Sequence, residues 1–319
     1  MVKVDFCDMP NGYIKDDNPL IEIIKKYFGE YEITDHPDFL FYSCTGTKHY
    51  EYKDCVKIFY TDEAVPPNFC ECDYAIAFDP ITFKGRYFRR PVWQYDVLPG
   101  ECQLSDEEAL GRKFCNFVYS NDHIGDAVEF RKQFALKLME YKHVDCPGKV
   151  LNNMENAITP RKGNLRRSGK LEFVKDYKFT IAFENTAYDG YTTEKMLEPL
   201  SVHSVPIYWG NPSVLDDFNE AAFINCNGYE NNLDKVIERI IELDQDDEKY
   251  LEVLHQNPMN TSYDCNELEK YEQFIVDIIK KGNHPINKDP LNFGKTMTFS
   301  QESWKRKIKK KIKKMLKRD

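Results

Sequence analysis

Three observations predict an α/β protein of two Rossmann-like, doubly wound domains. Apolar β-forming runs (Val2–Phe6, VKIFY at Val56–Tyr60, DYAIAF at Asp73–Phe78, KFCNFVY at Lys113–Tyr119) alternate with segments of helical periodicity. At 319 residues, 41% of them hydrophobic, the chain is long enough for two cores. The stretch Tyr177–Pro212, YKFTIAFENTAYDGYTTEKMLEPLSVHSVPIYWGNP, packs strand, polar loop, helix and strand into one unit.

In the first half, Val2–Phe6 opens as a strand, and Pro19–Phe28 is helical through Leu20, Ile23, Ile24 and Tyr27 and stopped by Gly29. Short strands follow near Tyr31–Thr34 and Phe39–Tyr42. Val56–Tyr60 reads as a buried strand that leaves Thr61-Asp62-Glu63 at its carboxyl end, the ligand edge of such sheets. Tyr87–Tyr95 is aromatic and basic, and Pro91 keeps it from being a long helix. Its rings and cations suit sugar or phosphate, but a core edge with solvated arginines fits as well, so it is left out of the site. Leu98–Asp106 has the composition of a linker, with a capping-box pattern at Ser105 and Glu108. The expected domains are therefore 1–105 and 106–285, with a tail at 286–319.

In the second half, Lys113–Tyr119 is a strand, Ser120–Gly125 its loop and Asp126–Tyr141 a helix with Arg131 in its early turns. By its pattern alone Arg131 is an exposed helix arginine. Val150–Gly169 is a long polar loop carrying Arg161, Lys162, Arg166 and Arg167, read as solvated in preference to a basic lid. Phe223–Cys226 adds a strand, and Leu233–Leu243 a helix buried through Val236, Ile237, Ile240 and Ile241. The D-x-D at Asp244–Asp246 lies between helices and is read as capping rather than metal binding. Asn266–Lys281 is a further helix, striped by Leu268, Tyr271, Ile275 and Ile278.

Composition narrows the function. The net charge is −9, yet the last fifteen residues carry ten Lys/Arg against one Asp, contribute +9 and leave −18 on the rest. An acidic body argues against nucleic-acid binding. Ten scattered cysteines and seven dispersed histidines form no CxxC or HxxxH, which favours reduced thiols and no structural metal. The N-terminus lacks the h-region of a signal peptide, and no run has the length of a transmembrane helix. Trp304, Ile308, Ile312, Met315 and Leu316 recur at helical spacing among lysines, a basic amphipathic helix suited to an anionic membrane surface. A disordered or nucleic-acid-binding tail is the alternative.

The chemistry concentrates in Glu184–Lys195. A polar loop and a helix capped at Thr192 or Thr193 come at the carboxyl edge of a parallel sheet, where free helix N–H groups and Lys195 favour a phosphate. Glu194, an acceptor-only carboxylate in the same turn, suits the vicinal hydroxyls of a ribose. Diphosphate plus ribose means a nucleotide. Pro199, inside the predicted helix, costs a hydrogen bond and reads as a structural kink.

FENT, four residues, Y-x-T-E-K, then P-I-Y-W-G resembles the donor-site signature of the inverting α1,3-fucosyltransferases, with weaker similarity from about Val56 to about Pro258. The resemblance implies a GT-B fold, two facing Rossmann-like domains, and transfer of L-fucose from GDP-fucose to the 3-hydroxyl of a GlcNAc or Glc unit. The acceptor would be a lactosamine-type glycan of a surface polysaccharide or lipopolysaccharide, as in bacterial Lewis antigens. It implies diphosphate binding by Arg131, in an R-x-x-F context with Phe134, and by Lys195. Asn185 and Tyr191 would position phosphates and fucose, Glu194 the ribose, and Glu63 would be the general base. Tyr60-Thr61-Asp62-Glu63 resembles the family's Y-T-G-E, with Asp62 in place of glycine and Ala64 where asparagine is common, so the base lies between Glu63 and Asp62. No divalent metal is expected. Animal Golgi members carry an N-terminal anchor and bacterial members a basic amphipathic C-terminus, so a cytoplasmic enzyme peripheral to the membrane is expected, with a homodimer left open. Another nucleotide sugar, or a catalytically silent membrane-tethered sugar-nucleotide or carbohydrate-binding protein, are the alternatives.

Overall fold

The first strand forms because Val4 and Phe6 bury completely or nearly so while the chain enters a parallel sheet on both its sides. The computed structural model describes residues 1–91, 104–123, 127–154, 164–229, 232–260 and 267–286. They divide into two units.

The first unit holds β1 (Val2–Cys7), α1 (Pro19–Phe28), β2 (Tyr31–Ile33), β3 (Phe39–Tyr42), β4 (Val56–Tyr60), β5 (Tyr74–Ala77) and β6 (Tyr87–Arg89) in a six-stranded parallel sheet of order β2-β1-β3-β4-β5-β6. β3 and β5 are buried along their whole length, as expected of strands covered on both faces. α1 starts at Asn18, whose side chain accepts the N–H groups of Leu20 and Ile21, and buries Leu20, Ile21, Ile23 and Ile24; Gly29, at φ 74°, ends it.

The second unit holds α2 (Asp106–Leu110), β7 (Lys113–Asn116), α3 (Val128–Met139), β8 (Val144–Asp145), α4 (Asn164–Val174), β9 (Tyr177–Phe183), α5 (Glu194–Ser201), β10 (Val205–Trp209), β11 (Ile224–Asn225), α6 (Leu233–Gln245) and α7 (Asp247–Leu254). Its parallel sheet runs β8-β7-β9-β10-β11, the same winding as the first five strands of the other sheet. Phe134, Leu138, Val236, Ile240, Leu243 and Tyr250 build the larger core. A second cluster packs Met196, Leu197 and Leu200 of α5 against Tyr208, Val214, Phe218 and Phe223.

Several expectations are corrected here. The chain changes units at Arg90/Pro91, with Phe78–Pro80 also in the second unit, rather than at 105/106. The last described helix, α8 (Glu267–Lys280), belongs to the first unit and not to the second. The physical reason is that the described connections between β3 and β6 supply no α-helix to cover that end of the first sheet. α8 does so with Tyr271, Ile275, Val276, Ile278 and Ile279, and Phe274 meets Tyr74 and Phe88. Burial of such side chains contributes about 1.5–3 kcal/mol each. Leu268, expected in that stripe, is 59% exposed. Arg90 is not solvated but buried 3.6 Å above the Tyr271 ring. From Asn164 the expected long loop is already helix. Asp246 caps α7, as its position suggested, and Asp244 accepts from Tyr141 and Lys142. The capping box at Ser105 forms. Pro199 sits in α5 three residues before its C-cap Val202, whose N–H reaches the Pro199 carbonyl. Every described cysteine is a free thiol, and no described helix is long and apolar enough to cross a membrane. The basic segment 305–319, Arg161, Lys162 and most of the 98–106 linker lie outside the described residues.

Candidate active site

In a sheet wound this way the chain leaves its first and third strands in opposite senses, opening a crevice at their carboxyl ends. In the second unit these strands are β7 and β9. Arg131, on the first turn of α3, spans that crevice: one guanidinium nitrogen donates to Asn185 Oδ1 at 2.9 Å, beyond β9, and another to the Asn121 carbonyl, beyond β7. The group lies 4.3 Å above the Tyr119 ring and is fully buried, and its Nε has no protein partner. Burial lowers its pKa from the usual guanidinium value, against the opposing pull of Tyr119 and Glu184. Tyr119 is itself fixed, its hydroxyl accepting the Phe183 N–H at 2.7 Å with the Phe183 and Ile181 carbonyls within reach of its proton. The pattern-based reading of Arg131 as an exposed helix arginine is thus overturned, because the turn that carries it folds onto the switch point.

The second cation sits at the start of α5. Thr193 caps the helix in an extended conformation, its hydroxyl accepting the Lys195 N–H at 3.3 Å. Lys195 Nζ lies 3.1 Å from Thr193 Oγ1, 3.2 Å from Glu194 Oε1 and 3.4 Å from Glu184 Oε2. Burial disfavours the ammonium, but the carboxylates of Glu184 and Glu194 outweigh it and raise the pKa above the ordinary lysine range. Glu194, its side chain 42% exposed, is held below the usual carboxylate range: burial opposes this, and Lys195 and Lys170 win. This turn therefore presents a permanent cation and an ionised acceptor within a few ångströms.

Glu184 is the residue that sequence reasoning missed. It was read only as the start of a polar loop, yet it is fully buried, accepting the Thr193 N–H at 2.7 Å and the Thr193 hydroxyl at 2.7 and 3.0 Å. Burial raises its pKa despite Lys195. The signal is a carboxylate directly following the apolar end, Ile181-Ala182-Phe183, of a strand. Room for it comes from Gly210, at φ 149°, where a Cβ would fall 2.5 Å from Glu184 Cγ. Gly210→Ala is expected to displace Glu184 and destabilise the fold by about 1–3 kcal/mol, the usual cost of overpacking; urea unfolding measures it, and an unchanged midpoint would show that Glu184 has slack.

The loop between β9 and α5 is equally constrained. Gly190, at φ 78°, donates its N–H to Asn211 Oδ1 at 2.7 Å, and a Cβ there would fall 2.6 Å from the Phe78 carbonyl oxygen. Tyr191 is buried with its ring edge-on to Phe78, centroids 5.0 Å apart, and adds to the electrostatic environment of Lys195. The structure thus joins Arg131 to Asn185, and Lys195 to Glu184 and Glu194, with Tyr191 close enough to act on the Lys195 charge. Glu63 belongs to the first unit, after β4, where its N–H donates to Thr61 Oγ1 at 3.1 Å. Both Glu63 and Asp62 are exposed. No described residues form a His/Cys/Asp/Glu group fit for a metal ion.

Two parallel-sheet Rossmann-like domains, one with paired cations at its switch point, place this chain among the GT-B glycosyltransferase folds. The chain belongs to glycosyltransferase family 10, the fucosyltransferases: residues 112–275 match the model of that family's C-terminal part, and residues 4–95 that of the α-(1,3)-fucosyltransferase FucT N-terminal domain. It is 32% identical over 254 residues to the α-(1,3)-fucosyltransferase FucT of Helicobacter pylori, covering 68% of this chain and 50% of that protein. With the putative fucosyltransferase R654 of Acanthamoeba polyphaga mimivirus it shares 27% over 164 residues, 50% of this chain and 26% of the other. The chain spans about half or less of the length of these curated relatives. Among solved structures it is similar to an α1,3-fucosyltransferase with GDP, at a TM-score of 0.73 and 26% identity over 91% of this chain and 93% of that one. To a structure of an α1,3-fucosyltransferase with GDP-fucose it is similar at a TM-score of 0.71 and 26% identity, over 90% of this chain and 92% of that one.

Proposed function

We propose that the chain is an inverting α1,3-fucosyltransferase that uses GDP-fucose. The observation that carries this reading is the convergence of Arg131, Asn185, Tyr191, Glu194 and Lys195 around one switch point, in a chain similar to structures solved with GDP and with GDP-fucose. Arg131 and Lys195 neutralise the charge that develops on GDP as the bond from fucose C1 to the phosphate oxygen breaks. Glu194 accepts from the ribose hydroxyls, and Asn185 and Tyr191 hold phosphate and sugar. The acceptor hydroxyl attacks C1 on the opposite face and passes its proton to Glu63. We take the acceptor to be a GlcNAc or Glc 3-hydroxyl in a lactosamine-type surface glycan. The basic segment at the end of the chain is assigned to a membrane surface, and the enzyme to the cytoplasmic side.

Titration calorimetry with GDP-fucose, GDP-mannose and UDP-galactose in EDTA tests the donor. GDP-fucose alone is expected to bind, since the cations that meet the diphosphate belong to the protein. Binding of another donor alone would refute the fucose reading, and binding of none would leave a sugar-binding protein without transferase chemistry. Glu63→Gln is expected to lower kcat by about 10²–10⁴, the usual worth of a general base, with donor affinity unchanged. Asp62→Asn is expected to leave kcat within a few-fold; the reverse pattern would make Asp62 the base.

A further inference from the structure

The first sheet has a switch point of its own. Its order β2-β1-β3 brings the carboxyl ends of β1 and β3, Cys7-Asp8 and Tyr42-Ser43-Cys44, to the edge where such sheets take ligands. Three ionisable side chains that donor chemistry does not use are packed there: Asp8, His49 and Glu71, 5%, 6% and 13% exposed. Asp8 stands at φ 55°. Its carboxylate accepts the Lys48 N–H at 2.9 Å, the His49 N–H at 2.9 Å and contacts His49 Nδ1 at 2.6 Å, while its carbonyl accepts the Thr45 N–H at 3.2 Å and hydroxyl at 2.6 Å. The His49 ring lies 4.2 Å from Tyr42 and 4.1 Å from Tyr50, with Nε2 3.7 Å from Glu71 Oε2. A Cβ on Gly46 would fall 2.3 Å from Asp8 Oδ1, so the loop closes this tightly on Asp8 because glycine is there.

A buried charged cluster adds little stability over an apolar one of the same volume; what it fixes is a place. The place fixed is an exposed run, Thr45-Gly46-Thr47-Lys48, with two hydroxyls and an ammonium. Next to it, Cys44 Sγ is 3.5 Å from Thr61 Oγ1, the atom that accepts the Glu63 N–H. The pinned loop and the loop of the proposed base are therefore adjoining parts of one sheet edge.

We propose that residues 45–48 form an acceptor-recognising loop, and that Asp8 and His49 are its positioning residues. The Lys48 ammonium and the Thr47 hydroxyl donate to a neutral, hydroxyl-rich saccharide, and the Thr45 hydroxyl, whose proton goes to the Asp8 and Met9 carbonyls, accepts from it, beside the carboxylate that takes the proton. The proposal rests on the transferase reading, and its test separates the two. GDP-fucose affinity, the slow hydrolysis of GDP-fucose by water, and acceptor KM with N-acetyllactosamine are measured for the wild type, His49→Gln, Asp8→Asn and the exposed-loop variant Thr47→Val. The expected result is an acceptor KM raised about tenfold, corresponding to about 1.4 kcal/mol, in His49→Gln and Asp8→Asn, and raised several-fold in Thr47→Val, with donor affinity and hydrolysis within twofold of wild type. Unchanged acceptor KM in all three variants would overturn the proposal, as would a parallel fall in donor affinity, hydrolysis and transfer, the mark of a merely structural cluster. Thr47→Val keeps the test open if the buried variants do not fold. A wild type that binds no GDP-fucose would overturn the transferase reading, and this proposal with it.

Discussion

Lys195→Ala is expected to remove measurable GDP-fucose binding and to destabilise the second unit by about 3–5 kcal/mol, the cost of leaving a buried charge without its partner. Both effects follow from one position. Lys195 Nζ is 3.4 Å from a carboxylate with no solvent exposure, and it is the cation at the N-terminus where a diphosphate would sit. Once the ammonium is gone, Glu184 keeps only the N–H and hydroxyl of Thr193. Its pKa, already raised by burial, then rises further. An acid whose folded pKa lies above its unfolded value contributes stability below the unfolded pKa and loses it as pH rises through the folded one. The stability gap between wild type and Lys195→Ala should therefore be small in acid and widen with rising pH. The double variant Lys195→Ala with Glu184→Gln should close that gap without restoring donor binding. Urea unfolding as a function of pH, alongside calorimetry with GDP-fucose, separates the two roles. A Lys195→Ala protein as stable as wild type at pH 8 would mean that Glu184 is neutral in the native fold.

The sequence carried the elements well where local signals and burial agree. Pro19–Phe28 has its Asn18 cap and Gly29 stop on either side, and the strands at Val56–Tyr60 and Val205–Trp209 are too apolar to lie elsewhere. It failed where a segment's role is set by a distant partner. The stripe of α8 is legible, but which sheet it covers depends on a gap among elements some two hundred residues earlier. Arg131 looks like any helix arginine until Asn121 and Asn185 are brought to it from two strand ends. Glu184 was hidden for a related reason: its burial is permitted by a glycine on the neighbouring strand's loop and balanced by a lysine in the next helix, neither visible as a pattern in its own neighbourhood. The Asp8–His49 pin joins residues forty-one positions apart and leaves no periodic trace. Sites built at a switch point are non-local because the winding collects them from separate loops.

The same non-locality makes Arg131 the most exacting position of the proposed donor site. Its guanidinium is fixed on three sides, by Asn185, the Asn121 carbonyl and the Tyr119 ring, before any ligand arrives. A group ordered in advance loses little entropy when it takes up a phosphate oxygen, and works in a site where water does not screen it. Lysine keeps the charge but not the planar fork, so Arg131→Lys cannot serve Asn185, the carbonyl and a phosphate at once. It is expected to lower kcat/KM by about 10²–10³, the range for loss of one aligned donor to a developing anion. Arg131→Ala is expected to match that loss and to add about 2–4 kcal/mol of instability from the cavity over Tyr119 and the hydrogen bonds lost to Asn121 and Asn185. Asn185→Ala separates orientation from charge: it leaves the guanidinium in place on Tyr119 but free to swing. The Arg131–Asn185 double-mutant cycle should then show coupling of about 1–3 kcal/mol in transition-state stabilisation. Additive losses at the two positions would mean that Asn185 acts on the sugar directly and that Tyr119 and Asn121 suffice to aim the arginine.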